Sequence, residues 1–99
     1  MEIKSYIDKY LEESKEILDT IDRSKIAKII EMLQRLKDNK GRLFILGVGG
    51  SAANASHAVN DFRKIAGMES YTPVDNAAEL TAWANDVGFE SIFINWLKT

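Results

Sequence analysis

Three glycines and a serine, Gly47, Gly49, Gly50 and Ser51, follow directly on the apolar run Leu43-Phe44-Ile45-Leu46. Glycine lets the backbone turn sharply and approach a ligand closely, and the first amides of a helix are unpaired at the positive end of its dipole. A helix starting here makes the loop a site for a phosphate or another anion, with Ser51 offering both hydroxyl and amide. The competing reading is a tight strand-to-helix turn that takes glycine for geometry alone. Gly47, Gly49 and Ala52 also satisfy a relaxed dinucleotide pattern, with Asp75 as ribose ligand, so an oxidoreductase half-domain is a further alternative.

His57 and Asp61 are four residues apart, hence adjacent on one helix face. An imidazole and a carboxylate so placed can share a divalent metal, or form a proton-transfer pair in which the carboxylate orients the ring. The alternative is an incidental pair on a solvated polar face. Asn85-Asp86 poses a similar choice, between a helix-ending Asn with its turn and a carboxylate presented near the strand ends, where α/β sheets bind ligands.

The elements that must position these groups follow from periodicity. Ile3, Tyr6, Ile7, Tyr10, Leu11, Ile17, Leu18 and Ile21 step by threes and fours, the stripe of an amphipathic helix. Asp22 or Ser24 caps a second helix, whose stripe runs Ile26, Ile29, Ile30, Leu33 and Leu36 until Gly41 ends it. Residues 1–41 thus read as a helical hairpin arm. The run Leu43–Leu46 reads as a central parallel strand buried on both faces. An Ala-rich helix follows from Ala52 to about Ala66, with Ala52, Ala55, Val59, Phe62 and Ala66 on one side and Asn54, His57, Asp61 and Lys64 on the other. Ser70–Val74 is a second strand weakened by Pro73, which lacks a ladder donor. Asn76-Ala77-Ala78-Glu79 has capping-box spacing before a helix to about Ala84, and Phe89, Ile92, Phe93, Trp96 and Leu97 make a last helical stripe. The expected class is α/β: the hairpin, then a βαβα part of a parallel sheet across residues 42–99, apparently truncated because two parallel strands are unstable alone.

Composition narrows the function. The 99 residues are 45% apolar and 28% charged, ordinary for one small folded domain. Residues 1–42 hold 10 basic and 9 acidic groups and residues 43–99 only 3 and 6, for a formal net charge of -2. Without a basic excess, nucleic acid and anionic membrane are poor partners. There is no Cys for a disulfide or thiolate metal site, and no apolar run near the roughly 20 residues of a membrane helix. A cytoplasmic protein is expected.

Gly47-Val48-Gly49-Gly50-Ser51, then His57-Ala58-Val59-Asn60-Asp61, then Asn85-Asp86-Val87-Gly88-Phe89 resemble, in order and spacing, the motifs of the sugar isomerase (SIS) domain of the phosphoheptose isomerase family: G-N-G-G-S, H-x-x-x-E and N-D-x-G-F. The resemblance implies a flavodoxin-like or Rossmann-like sheet and an aldose–ketose isomerisation of sedoheptulose 7-phosphate to D-glycero-D-manno-heptose 7-phosphate. It implies that Val48, Gly49, Gly50 and Ser51, with Asn85 and Asp86, bind the phosphorylated sugar. It implies that His57 and Asp61 bind zinc and that Asp61 is the catalytic acid/base. Val48 stands where the pattern has Asn, and Asp61 where it has Glu. Members run to about twice this length in one domain, their second phosphate-binding loop and later His and Gln having no counterpart here. The expected reading is a partial SIS domain, residues 1–99, whose site is incomplete and inactive alone. A module that binds phosphosugar or protein without catalysis is the alternative. The apolar stripes of the arm and of Phe89 to Leu97 need partners that 99 residues cannot all supply, which predicts a homo-oligomer, dimer or tetramer.

Overall fold

The computed structural model describes residues 2–99, which fall into two compact units, one reaching Leu33 and the other running from Gln34 to Thr99. In the first unit the helix α1 spans Ile3–Thr20 and α2, Arg23–Asp38, begins. Both form where the periodicity places them. Asp22 is the cap: its Oδ1 accepts from the Ser24 hydroxyl at 2.6 Å, the Ser24 amide at 3.0 Å and the Lys25 amide at 3.2 Å. The Ser24 hydroxyl first, then the Lys25 amide, hold its carboxyl below the ordinary value. Neither helix buries a residue, so the stripes are formed but uncovered, with Tyr6 60% and Leu18 67% exposed.

The second unit opens on the end of α2. Gly41 was expected to stop it, but the left-handed residue is Lys40, at φ 55°. The Lys40 amide bonds the Lys37 carbonyl and the Gly41 amide the Leu36 carbonyl, a Schellman pattern that satisfies the last carbonyls. Gly41, one place later, packs against α2: a Cβ there would lie 2.3 Å from Leu36 Cδ1, so a larger residue would displace that side chain.

Beyond it come β1 (Arg42–Phe44), α3 (Gly50–Lys64), β2 (Glu69–Tyr71), α4 (Ala77–Asp86) and α5 (Ile92–Lys98), with single 3₁₀ turns at Pro73–Asp75 and Phe89–Ser91. The strands are parallel, with Leu43 opposite Ser70 and Phe44 opposite Tyr71. The expected βαβα order is present, with shifted boundaries. The strand expected at Ser70–Val74 ends at Tyr71, because Pro73 has no amide for a ladder and starts the 3₁₀ turn instead. The expectation that Leu43–Leu46 is buried on both faces is not met: Phe44 and Leu46 are 38% and 44% exposed, since β1 has one neighbouring strand. The Ala-rich helix starts two residues before Ala52, and the one carrying Asn85-Asp86 runs to Asp86.

The core is small. Ala55 and Val59 on the sheet side of α3 are buried with Met68, Ser70, Thr72 and Ile92. Phe44 packs on Tyr71 at 5.8 Å between ring centroids and edge-on to Trp96 at 6.1 Å, tying α5 to the sheet. Half of the capping box is made: Asn76 Oδ1 accepts from the Glu79 amide at 3.1 Å.

Candidate functional site

The glycine loop is a turn of one defined shape. The Ser51 amide donates to the Val48 carbonyl at 3.1 Å, and Gly49 between them has φ 62° and ψ −125°, the first central position of a type II′ turn that glycine dominates. Gly47 answers to a different demand, because a Cβ there would lie 2.3 Å from the Ser51 carbonyl oxygen. Geometry alone therefore requires both glycines. The same geometry leaves the N-terminus of α3 without a side-chain cap and open, for a Cβ at Gly49 or Gly50 would meet nothing within 4 Å. Val48, Gly49, Gly50 and Ser51 are all exposed, and the positive end of a 15-residue helix faces outward there. Val48, 53% exposed, offers this opening an apolar branched side chain and no hydrogen bond.

Two turns further along α3, His57 Nε2 lies 3.2 Å from Asp61 Oδ2, with the side chains 77% and 45% exposed. Asp61 Oδ1 is also approached by Asn60 Nδ2 at 3.4 Å. The 3.2 Å separation fits metal chelation. With bonds of about 2.0–2.1 Å, two corners of a tetrahedral zinc site lie about 3.3 Å apart. The donor types, neutral imidazole and carboxylate, also suit zinc. No group of three His, Asp or Glu capable of holding a metal occurs among the described residues, so the pair supplies half a coordination shell.

Asn85 and Asp86 form the last turn of α4, exposed, with Asn85 Nδ2 donating to Asp86 Oδ1 at 3.1 Å. Of the candidate residues the structure thus brings together the four of the loop, by sequence continuity, and His57 with Asp61. An open cleft of about 630 Å³ lies elsewhere, lined by Arg42, Phe44, Tyr71, Glu79 and Trp96 among others.

Asp75, the ribose ligand of the dinucleotide alternative, has another partner. The Ser56 hydroxyl donates to its Oδ1 at 2.6 Å, joining α3 to the turn before α4. Sequence reasoning missed this bond, as it missed Arg63, whose Nη1 donates to the Ser70 carbonyl at 3.1 Å while its guanidinium lies 5.6 Å from the Tyr71 ring centroid. Only their positions gave a signal: Ser56 and Arg63 flank the buried Ala55–Val59 stripe, where a polar side chain reaches the sheet margin.

No protein-family model matches the chain. A phosphoheptose isomerase of Thermodesulfovibrio yellowstonii is 32% identical over 106 residues, covering 99% of this chain and 53% of that protein. One of Geotalea daltonii is 33% identical over 100 residues, covering 93% and 50%. The structure of phosphoheptose isomerase GmhA from Neisseria gonorrhoeae superposes with a TM-score of 0.73 at 24% identity over 97% of this chain and 51% of that one, which shows a shared fold. The chain spans about half the length of the relatives it matches.

Proposed function

We propose that this partial sugar isomerase domain of the phosphoheptose isomerase type supplies the loop and the acid/base helix of a sugar-phosphate isomerase, converting sedoheptulose 7-phosphate to D-glycero-D-manno-heptose 7-phosphate. The observation that carries the reading is similarity to phosphoheptose isomerases along 93–99% of the chain. In that reaction a proton leaves the carbon beside the ketone and returns to the former carbonyl carbon, while the hydroxyl and carbonyl oxygens exchange roles. One carboxylate can carry the proton in both directions. Asp61 has that role, held by its bond to His57. The exposed loop Val48–Ser51 takes the phosphorylated sugar against the N-terminus of α3, and Asn85 and Asp86 offer an amide and a carboxylate to its hydroxyls.

His57 and Asp61 would hold the zinc ion, which when bound stabilises negative charge on the substrate oxygens. Two ligands are half a tetrahedral set, so tight metal binding and turnover both need residues beyond this chain. The uncovered stripes of α1 and α2 support assembly into a homo-oligomer, dimer or tetramer, through these helices. A cytoplasmic location is proposed because the substrates are soluble sugar phosphates; no helix among the described residues is long and apolar enough to cross a membrane.

The test is a chimaera joining residues 1–99 to the remaining half of the Thermodesulfovibrio yellowstonii relative. Turnover of sedoheptulose 7-phosphate that disappears on Asp61→Asn, with phosphosugar binding retained, is the expected result. A folded chimaera that binds phosphosugar without turnover would favour the non-catalytic module, for which the apolar Val48 in the loop is the supporting feature.

A further inference from the structure

A hydroxyl inside a helix can turn back to the carbonyl four residues earlier. Ser14, Thr20 and Thr81 do so, donating to the carbonyls of Tyr10 at 2.8 Å, Glu16 at 2.8 Å and Ala77 at 2.6 Å. Ser56 reaches outward instead. Its hydroxyl crosses from α3 to Asp75 Oδ1 at 2.6 Å, the length of a hydroxyl–carboxylate bond. Among the described residues every other hydrogen bond between two side chains spans four residues or fewer. The acceptor is firmly held. Pro73 is buried, the Thr72 hydroxyl accepts from the Val74 amide at 3.4 Å, and the Asp75 and Asn76 amides bond the Thr72 and Pro73 carbonyls at 3.3 and 3.1 Å, so the 3₁₀ turn is braced from within.

That turn joins two elements of the candidate site. α3, which carries His57 next to Ser56, packs on β2 and on the turn, while α4 packs on the turn and on α5. Asn76, the residue after Asp75, caps α4, whose far end holds Asn85 and Asp86. At about 1.5 Å per residue this end lies roughly 14 Å from the cap, so a tilt of about 10° at the turn moves it by about 2 Å. A hydrogen bond does not survive such a shift. We infer that the Ser56–Asp75 bond is a positioning contact, which sets α4 against α3 and thereby places Asn85 and Asp86 for the hydroxyls of the sugar. The duty of Asn85 and Asp86 rests on the isomerase reading; the contact between the helices does not.

Two measurements test it. In the full chain, Ser56→Ala should speed hydrogen exchange of the α4 amides, residues 77–86, and leave the buried stretch 55–59 unchanged. In the chimaera with the Thermodesulfovibrio yellowstonii half, Ser56→Ala and Asp75→Ala should each weaken sedoheptulose 7-phosphate about 3- to 10-fold, the worth of one hydrogen bond to the sugar. The loss should appear in KM and in the calorimetric Kd, with kcat and its pH profile unchanged, because Asp61 stays in place on α3. A general loss of structure would instead shrink the active fraction and lower kcat at constant KM. Ser56→Thr keeps the hydroxyl and Asp75→Asn keeps an acceptor oxygen, so both should retain wild-type affinity, and the double alanine variant should be no worse than either single one. Unchanged exchange in 77–86, or a fall in kcat alone, would overturn the inference. A wild-type chimaera that binds the sugar phosphate without turnover would count against the isomerase reading, and the Kd ratio would still decide the contact.

Discussion

His57 Nε2 and Asp61 Oδ2 stand 3.2 Å apart on an open face of α3, a separation that serves a hydrogen bond and equally the two adjacent corners of a metal tetrahedron. Which it serves depends on what else reaches the ion, because neither side chain is held by burial.

In the chain alone, His57→Ala should therefore change unfolding free energy by no more than about 0.3–0.5 kcal/mol, the range for an exposed pair at this spacing. In the complete chimaera the same substitution should reduce zinc affinity by about 10–100-fold. Urea titration and calorimetric metal titration read the two effects, and equal zinc affinity in both chimaeras would remove His57 from the ligand set.

The loop glycines should respond differently. Gly47→Ala drives a Cβ into the Ser51 carbonyl and should cost about 1–3 kcal/mol of stability through backbone displacement. Gly49→Val meets open space but strains the φ 62° turn, and it places a branched group over the exposed end of α3, so phosphosugar binding should suffer more than folding. Denaturant midpoints set against ligand titration of the chimaeras separate the two. Unchanged affinity in a folded Gly49→Val protein would reduce the loop to a turn.

Lys40 holds a left-handed conformation that glycine adopts without strain. Lys40→Gly should raise stability by roughly 0.5–1 kcal/mol, the relief of strain less the added chain entropy. A higher urea midpoint with an unaltered slope is the expected observation.

Asp22 gives the start of α2 a pH dependence. Its carboxyl is lowered in the folded chain by the Ser24 hydroxyl and the Lys25 amide, so the ionised form is the one that caps. The contribution is complete above the unfolded value of about 3.9 and is lost as pH falls through the lower folded value. Helicity followed from pH 6 to pH 2 should fall across that window, and Asp22→Asn should flatten that part of the curve.

Exposed stripes at Tyr6, Ile7, Tyr10, Leu11, Leu18, Ile29 and Ile30 predict self-association in sedimentation experiments at tens of micromolar. Charge placed on the stripe, as in Leu11→Glu, should shift the distribution to monomer. A wild-type monomer across that range would deny the helices this role.

Much of the chain was legible in the sequence because local chemistry decides it. Helical stripes, a cap at Asp22 or Ser24, the strand–glycine–helix order and the adjacency of His57 to Asp61 all follow from local spacing, where 3.6-residue geometry needs no tertiary partner. What only the tertiary structure decided involves two elements at once. Asp75 found Ser56 nineteen residues away, and Arg63 found the Ser70 carbonyl, bonds that no periodicity encodes. The reading of Leu43–Leu46 as doubly buried failed for the same reason: burial belongs to the neighbours of a strand, and in this chain β1 has only one.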